Sequence, residues 1–315
     1  DWENFSDVSG VSLEDISTIE GITATAQKYY EWTDSLTETP DDGKAFFGRD
    51  AMANYFIIGA RELGIEIFSV KDGKPELNFD KEVIRKLWDN YYVPYVNGYF
   101  ASSGKFRSDD IKTGNILAFV GSSAGATFFP DQVTLDDEHT YPIEMQALAC
   151  PKFEEGEDYA VQQGAGMVVM KKDDKAEIEA SVEFLKWFTD TERNIDFAVS
   201  SGYLPVKKEA NTKEMINDKI GSKDSSVVEV LDASLDQIEN NTLYTTRAFK
   251  NGTDARNVLE YSLSDKAAAD RDQVLELIKG GKSREEAVSQ FDTDENFENW
   301  YQETYASLTA LVEAE

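Results

Sequence analysis

Apolar residues first recur at helical spacing between Ser12 and Trp32, where Leu13, Ile16, Ile19, Ile22, Ala26, Tyr29 and Tyr30 follow a Ser-x-x-Asp start. The same rhythm predicts a helix over 50–63, with Tyr55, Ile58 and Leu63 facing inward and Gly64 as its stop. Asp80 is placed to cap a third helix, with Val83, Leu87 and Tyr91 as its stripe. Further on, 174–188 carries Ile178, Val182, Leu185 and Phe188 in register, and Thr189-Asp-Thr-Glu192 reads as a capping box for a second helix ending near Ser200. Gly202 and Pro205 then stop the helix and leave Tyr203 on a short connector. A long amphipathic helix is expected over 255–279, followed by a second capping box at Ser283-Arg-Glu-Glu286.

Shorter apolar runs predict strands. Residues 65–70 and 76–79 flank an Asp-Gly turn, and 116–120 runs into a small-residue loop. Residues 141–150 are expected to form a strand ending at Pro151, and 164–170 a glycine-punctuated buried strand. Strands alternating with helices argue for an α/β architecture with parallel sheets.

Composition narrows the function classes. The 315 residues are 41% hydrophobic and 12% aromatic, a globular balance, while 61 acidic against 31 basic residues give a formal charge of −30. That sign disfavours nucleic acid and anionic membrane as partners. The single cysteine, Cys150, closes an apolar run and is expected to be a packed thiol. With only one histidine, His139, no thiolate or imidazole cluster for zinc is expected, and no EF-hand loop is present. No apolar run approaches the ~20 residues that span a bilayer. The opening Asp1-Trp-Glu-Asn-Phe5 is neither a Met start nor a processing site, so an upstream segment is expected to be absent.

Three constellations bear on chemistry. Gly121-Ser-Ser-Ala-Gly125 after a strand matches the Gly-x-Ser-x-Gly elbow of serine hydrolases, with Ser123 as nucleophile. His139 follows only sixteen positions later, too soon for the intervening strands and helices of that fold, although Asp131, Asp136 and Asp137 lie between. The other use of such a loop is to bind a polar ligand through hydroxyls and backbone at the end of a strand. Gly164-Ala-Gly166 precedes a strand rather than joining strand to helix, so it suits close backbone packing or ligand approach rather than a dinucleotide. Phe46, Phe47, Tyr95, Tyr99, Phe100 and Tyr203 are candidates either for sugar stacking or for the core.

The order of these motifs resembles a known family. Gly-Asn-Ile-Leu-Ala-Phe119 runs into Gly121-Ser-Ser-Ala-Gly125. Cys150-Pro151, Gly164-Ala-Gly166, Val182-Glu-Phe-Leu-Lys-Trp-Phe-Thr-Asp-Thr-Glu192, Ser201-Gly-Tyr-Leu-Pro-Val206 and Ile278-Lys-Gly-Gly-Lys-Ser-Arg-Glu-Glu-Ala287 follow. Together they are similar to the extracellular solute-binding proteins of ABC importers, the carbohydrate-type family of maltose-, oligosaccharide- and glycerol-3-phosphate-binding proteins. The resemblance implies a two-lobed periplasmic-binding-protein-like α/β fold (type II) with an incomplete amino-terminal lobe. Residues 1–147 and 208–315 would form the carboxyl lobe, and 148–207 the remaining part of the other.

It implies a receptor that closes on a sugar or oligosaccharide and delivers it to membrane permease subunits, with no cofactor, metal or covalent chemistry. The expected protein is monomeric, extracellular or periplasmic, and lipid-anchored in its full-length form. Ser122, Ser123, Gly164 and Tyr203 would face the ligand, and Phe47 and Arg49 would border the cleft. Glycerol-3-phosphate-type members place an Arg shortly before a Gly in the carboxyl lobe. Here Lys250-Asn-Gly252 stands in that place with Arg247 nearby, which leaves a phosphate ester as the alternative ligand. A serine hydrolase using Ser123 and an isolated fragment or adhesion module without a working cleft are the rival readings.

Overall fold

The computed structural model describes residues 1–220 and 226–314. Its larger hydrophobic cluster grows from the stripes expected along the first hundred residues. In the helix Ile19–Asp34 the buried positions include Ile22, Ala26, Tyr29 and Tyr30, and Thr18 opens it by accepting from the amide of Gly21. Asp80 caps Lys81–Asp89 by accepting from the amides of Glu82 and Val83, and that helix buries Ile84, Leu87 and Trp88. The Trp88 ring lies 3.7 Å from Tyr92 and 5.1 Å from Trp300. Trp300 comes from the closing helix Asp294–Glu313.

The long helix Gly252–Lys279 packs against Met52–Glu62 and Tyr92–Val96 and buries Ala255, Leu259, Leu263, Ala267 and Val274. Its Glu260 caps Met52–Glu62 from 208 residues away, accepting from the amides of Met52 at 3.2 Å and Ala53 at 2.8 Å. Carboxylate at a helix amino terminus satisfies donors that the helix itself leaves open.

Each sheet among the described residues has two strands. Phe47–Arg49 runs parallel to Ala118–Val120 with Phe47 opposite Ala118. Phe68–Lys71 and Lys74–Leu77 form the expected hairpin, whose turn residues Asp72 and Gly73 have φ of 51° and 78°. Gln132–Thr134 pairs with Thr140–Pro142 in a second hairpin. The strand expected over 141–150 is therefore confined to its first two positions. Tyr159–Val161 runs parallel to Thr242–Tyr244, and here the chain crosses between the larger cluster and a smaller one.

The smaller cluster is built on Ile216, Leu231 and Leu235, with Val199, Leu204, Val227 and Ile238 around them. Helices Lys213–Ile220 and Ser226–Asn240, which the sequence reading places with the carboxyl lobe, thus pack beside Thr191–Ser201 in this smaller body. Thr191–Ser201 starts at Asp190 without a side-chain cap, so the expected box at Thr189 does not close.

Three further expectations are corrected. Residues 164–170 are not a buried strand: they belong to no sheet, and Val168 is 81% exposed. The helix Lys175–Phe188 forms as expected but buries none of its residues. Cys150 is exposed rather than packed. Periodicity marks which face of a segment is apolar, but burial needs a neighbouring layer, and no described segment covers these three.

Glu62 ties the crossing segment to the larger body. It is 4% exposed, its carboxylate accepts from the amide of Phe153 at 3.1 Å, and its carbonyl accepts from Glu157 at 2.9 Å. Burial pushes its carboxyl up to about 7, against the opposing pull of the Phe153 amide, Arg49 and Lys152, while nearby Glu20 adds to the rise. The folded protein therefore holds this proton where an unfolded Glu, at 4.5, has lost it. The stabilisation is complete below that unfolded value and is lost as pH rises through 7, a fall of about 2–3 kcal/mol. Urea titrations at pH 5 and pH 8 should show the drop, and Glu62→Gln, which keeps an acceptor for Phe153, should flatten it.

Candidate functional site

The site starts where the parallel pair Phe47–Arg49 and Ala118–Val120 ends. There the amide of Asp50 donates to the carbonyl of Val120 at 2.9 Å, so both strand ends stop side by side. Arg107, 4% exposed, fixes this corner. Its backbone amide and Nε donate to Asp50 Oδ1 at 3.2 and 3.4 Å, and Nη2 donates to the Gly104 carbonyl at 2.6 Å. Nη1 is paired with Asp110, whose other oxygen accepts from the amides of Ser103 and Gly104. Burial raises the Asp50 carboxyl, and the hydrogen bonds and charge of Arg107 pull it down.

Beyond this corner the chain turns through a 3-10 segment, Ser123–Phe128, with Ser122 exposed and Ser123 half-buried. Gly202 closes Thr191–Ser201 in the left-handed conformation, with φ 70° and ψ 12°. A Cβ on Gly202 would lie 2.7 Å from the carbonyl oxygen of Ser123 and 2.9 Å from Ala124 Cα. Only glycine permits both the dihedral angle and the approach. Backbone contact between the helix stop and the serine loop thus brings Ser122, Ser123 and Tyr203 into one neighbourhood.

Tyr203 is 40% exposed, and its ring stacks on Phe197 with centroids 6.4 Å apart and planes 29° apart. The connector is held by two amide side chains: Asn194 accepts from the Val206 amide at 2.8 Å, and Asn211 donates to the Pro205 carbonyl at 2.7 Å. Asn194 and Phe197 were not among the sequence candidates. Asn194 had a signal, because a buried Asn inside a helix must spend its amide on a nearby backbone group. Phe197 had none beyond aromatic identity.

The remaining candidates lie elsewhere. Arg49 is half-buried, with its guanidinium 4.7 Å from the Tyr55 ring and 5.9 Å from that of Phe47. Phe47 is 4% exposed and packs 5.0 Å from Phe100, so its ring belongs to the core and offers no face to a cleft. Gly164 is exposed, and no atom lies within 4 Å of where its Cβ would stand, so close packing does not explain it. Arg247 is exposed and donates to the Val70 carbonyl of the first hairpin at 3.4 Å; Lys250 is also exposed. His139 pairs with Asp136 at 2.7 Å within an exposed turn and makes no hydrogen bond to Ser123, so no nucleophile–base pair is assembled. Among the described residues no group of His, Cys, Asp and Glu is placed to hold a metal, and no helix is long and apolar enough to cross a membrane.

No curated protein matches the chain by sequence. Among solved structures it is similar to UgpB from Mycobacterium tuberculosis in complex with glycerophosphocholine, at TM-score 0.65 and 14% identity over 99% of this chain and 66% of that one. The cyclic alpha-maltosyl-1,6-maltose binding protein from Arthrobacter globiformis gives 0.61 and 13% over 95% and 65%. Maltose-bound T. maritima MalE3 gives 0.57 and 14% over 96% and 68%. The chain therefore spans about two thirds of these neighbours' lengths and shares their two-lobed fold. The profile of the family described as bacterial extracellular solute-binding protein matches residues 5–223. With more than half of its length matched, the chain belongs to that family of extracellular binding proteins.

Proposed function

We propose that the chain is part of the substrate-binding component of an ABC importer and takes a sugar or short oligosaccharide at the junction of its two bodies. The observation that carries this reading is the backbone contact of Gly202 with Ser123 and Ala124, which brings the serine loop against the helix stop next to the exposed, stacked Tyr203. A pyranose presents hydroxyls at its edge and an apolar C–H face, and this pairing of groups suits both. Closure of the lobes would follow from tighter binding to the closed form, which membrane permease subunits would then recognise. A lipid anchor would keep the protein near them.

The basic residues support a sugar over a phosphate ester, since Arg247 is engaged with the first hairpin rather than with the serine loop. Arg49, a half-buried cation one residue before the Asp50 corner, is what favours the phosphate-ester alternative.

Calorimetric titration of the protein with maltose, maltotriose and glycerophosphocholine, with each mixture assayed for product, tests the reading. Saturable binding of an intact saccharide is expected, and Tyr203→Ala and Ser123→Ala should each weaken it by about tenfold. Binding of glycerophosphocholine alone would shift the reading to phosphate esters, and hydrolysis of any ligand would overturn it.

A further inference from the structure

Arg49 is a cation without a carboxylate. In a chain with 61 acidic residues against 31 basic ones, its guanidinium makes neither an ion pair nor a hydrogen bond among the described residues. The acids of this region are committed elsewhere. Asp50, its neighbour in sequence, is held by Arg107. Glu62 accepts from the Phe153 amide, and Glu20 pairs with Lys86 at 2.9 Å and accepts from the Glu154 amide at 3.1 Å. What Arg49 does touch is aromatic, the Tyr55 ring at 4.7 Å and the Phe47 ring at 5.9 Å. Ring contacts restrain the planar group and leave its five N–H donors open to an oxygen ligand.

Its place in the fold directs those donors to the junction. Arg49 stands opposite Val120 at the end of the parallel pair, the strand end from which the serine loop departs. The side chain is half-buried, yet none of its nitrogens is among the buried atoms that lack a partner, so the free donors lie on its solvent side. Its charge is felt on both sides of the junction. One group that feels it is Glu62 in the larger body; the other is the exposed thiol of Cys150, whose amide donates at 3.5 Å to Gln237 of the helix Ser226–Asn240 in the smaller one.

We propose that Arg49 is the counterion for a carboxylate on the ligand, so that the saccharide taken at the junction is an acidic one, a uronic acid or an oligosaccharide that contains it. The inference rests on the saccharide reading above and narrows it. A carboxylate presents two coplanar oxygens that match one edge of a guanidinium. A neutral sugar closing over Arg49 would strip its water and return only neutral acceptors. A phosphate ester brings nearly two charges and calls for a second cation, whereas Arg107 is spent on Asp50 and Asp110, and Arg247 on the Val70 carbonyl.

The test is calorimetric titration with matched pairs, D-glucuronate against D-glucose and digalacturonate against galactobiose, with glycerol 3-phosphate alongside. The acid of a pair should bind at least about tenfold more tightly than its neutral partner. Arg49→Gln should bring the two within about twofold, and Arg49→Lys should keep part of the preference. A second readout needs no sugar: the rate at which anionic iodoacetate alkylates Cys150, relative to neutral iodoacetamide. Arg49→Gln should lower this ratio by about threefold or more, while an unchanged iodoacetamide rate reports intact folding. An unchanged ratio would overturn the inference whatever the sugars do. Equal affinities within a pair would also overturn it and leave the sugar receptor standing, and tighter binding of glycerol 3-phosphate than of either acid would overturn the carboxylate assignment. A lowered ratio with no saccharide bound would instead remove the sugar reading and keep Arg49 as an anion site.

Discussion

Replacing Trp88 by Ala should cost about 3–5 kcal/mol, read as a lower urea midpoint for the larger body with an unchanged slope. Trp88 is among the largest fully buried side chains, and three aromatic rings rest on it: Tyr92 at 3.7 Å, Trp300 at 5.1 Å and Phe297 at 5.5 Å. These rings come from separate helices, Tyr92–Val96 and Asp294–Glu313, so none can move into the vacated space without dragging a helix. The cost is therefore lost transfer free energy plus a cavity that the site cannot close. Trp88→Phe should recover part of it, and a cost under about 1 kcal/mol for the Ala variant would mean that the cluster repacks freely.

Arg107→Ala should be of similar size, about 3–5 kcal/mol, for a different reason. Asp110, with 1% of its side chain exposed, keeps its two amide donors but loses the cation that balances its charge, and Asp50 loses the group that opposes its burial. Removing one member of a buried ion pair leaves an uncompensated charge, whereas removing both leaves only a gap. Asp110→Ala added to Arg107→Ala should thus cost less than the two separate changes combined. The same variant carries a second readout. Because Arg107 holds the Asp50 corner from which the serine loop departs, saccharide affinity should fall along with stability. A loss of stability with unaltered affinity would separate the corner from the site.

Local chemistry made much of the larger body legible in the sequence. The Asp72-Gly73 turn, the Asp80 cap and the Ser283–Glu286 box act over a few residues, and each is found with its expected partners. The stop at Gly202 was equally readable, since a left-handed residue followed shortly by proline leaves a helix few options. What the stop touches was not readable. Contact of Gly202 with Ser123 joins positions far apart in the chain, and no local pattern encodes it. Phe47 misled for a related reason: an aromatic residue next to Arg49 has the same appearance whether its ring faces a ligand or, as here, Phe100. Residues 164–170 and the helix Lys175–Phe188 carry the apolar spacing of buried elements, and that spacing was read correctly as chemistry but wrongly as burial.

The capping of Met52–Glu62 by Glu260 has a bearing on how the protein reaches its place of work. Helix Gly252–Lys279 supplies the middle of the larger core and the cap for a helix made some 208 residues earlier. Until that late segment exists, the helices Met52–Glu62 and Tyr92–Val96 lack one of their packing partners, and pairings across such sequence distances form slowly. The larger core of such a chain is expected to complete late in synthesis. For a chain of a family described as extracellular, late completion of this core would keep the polypeptide threadable during export.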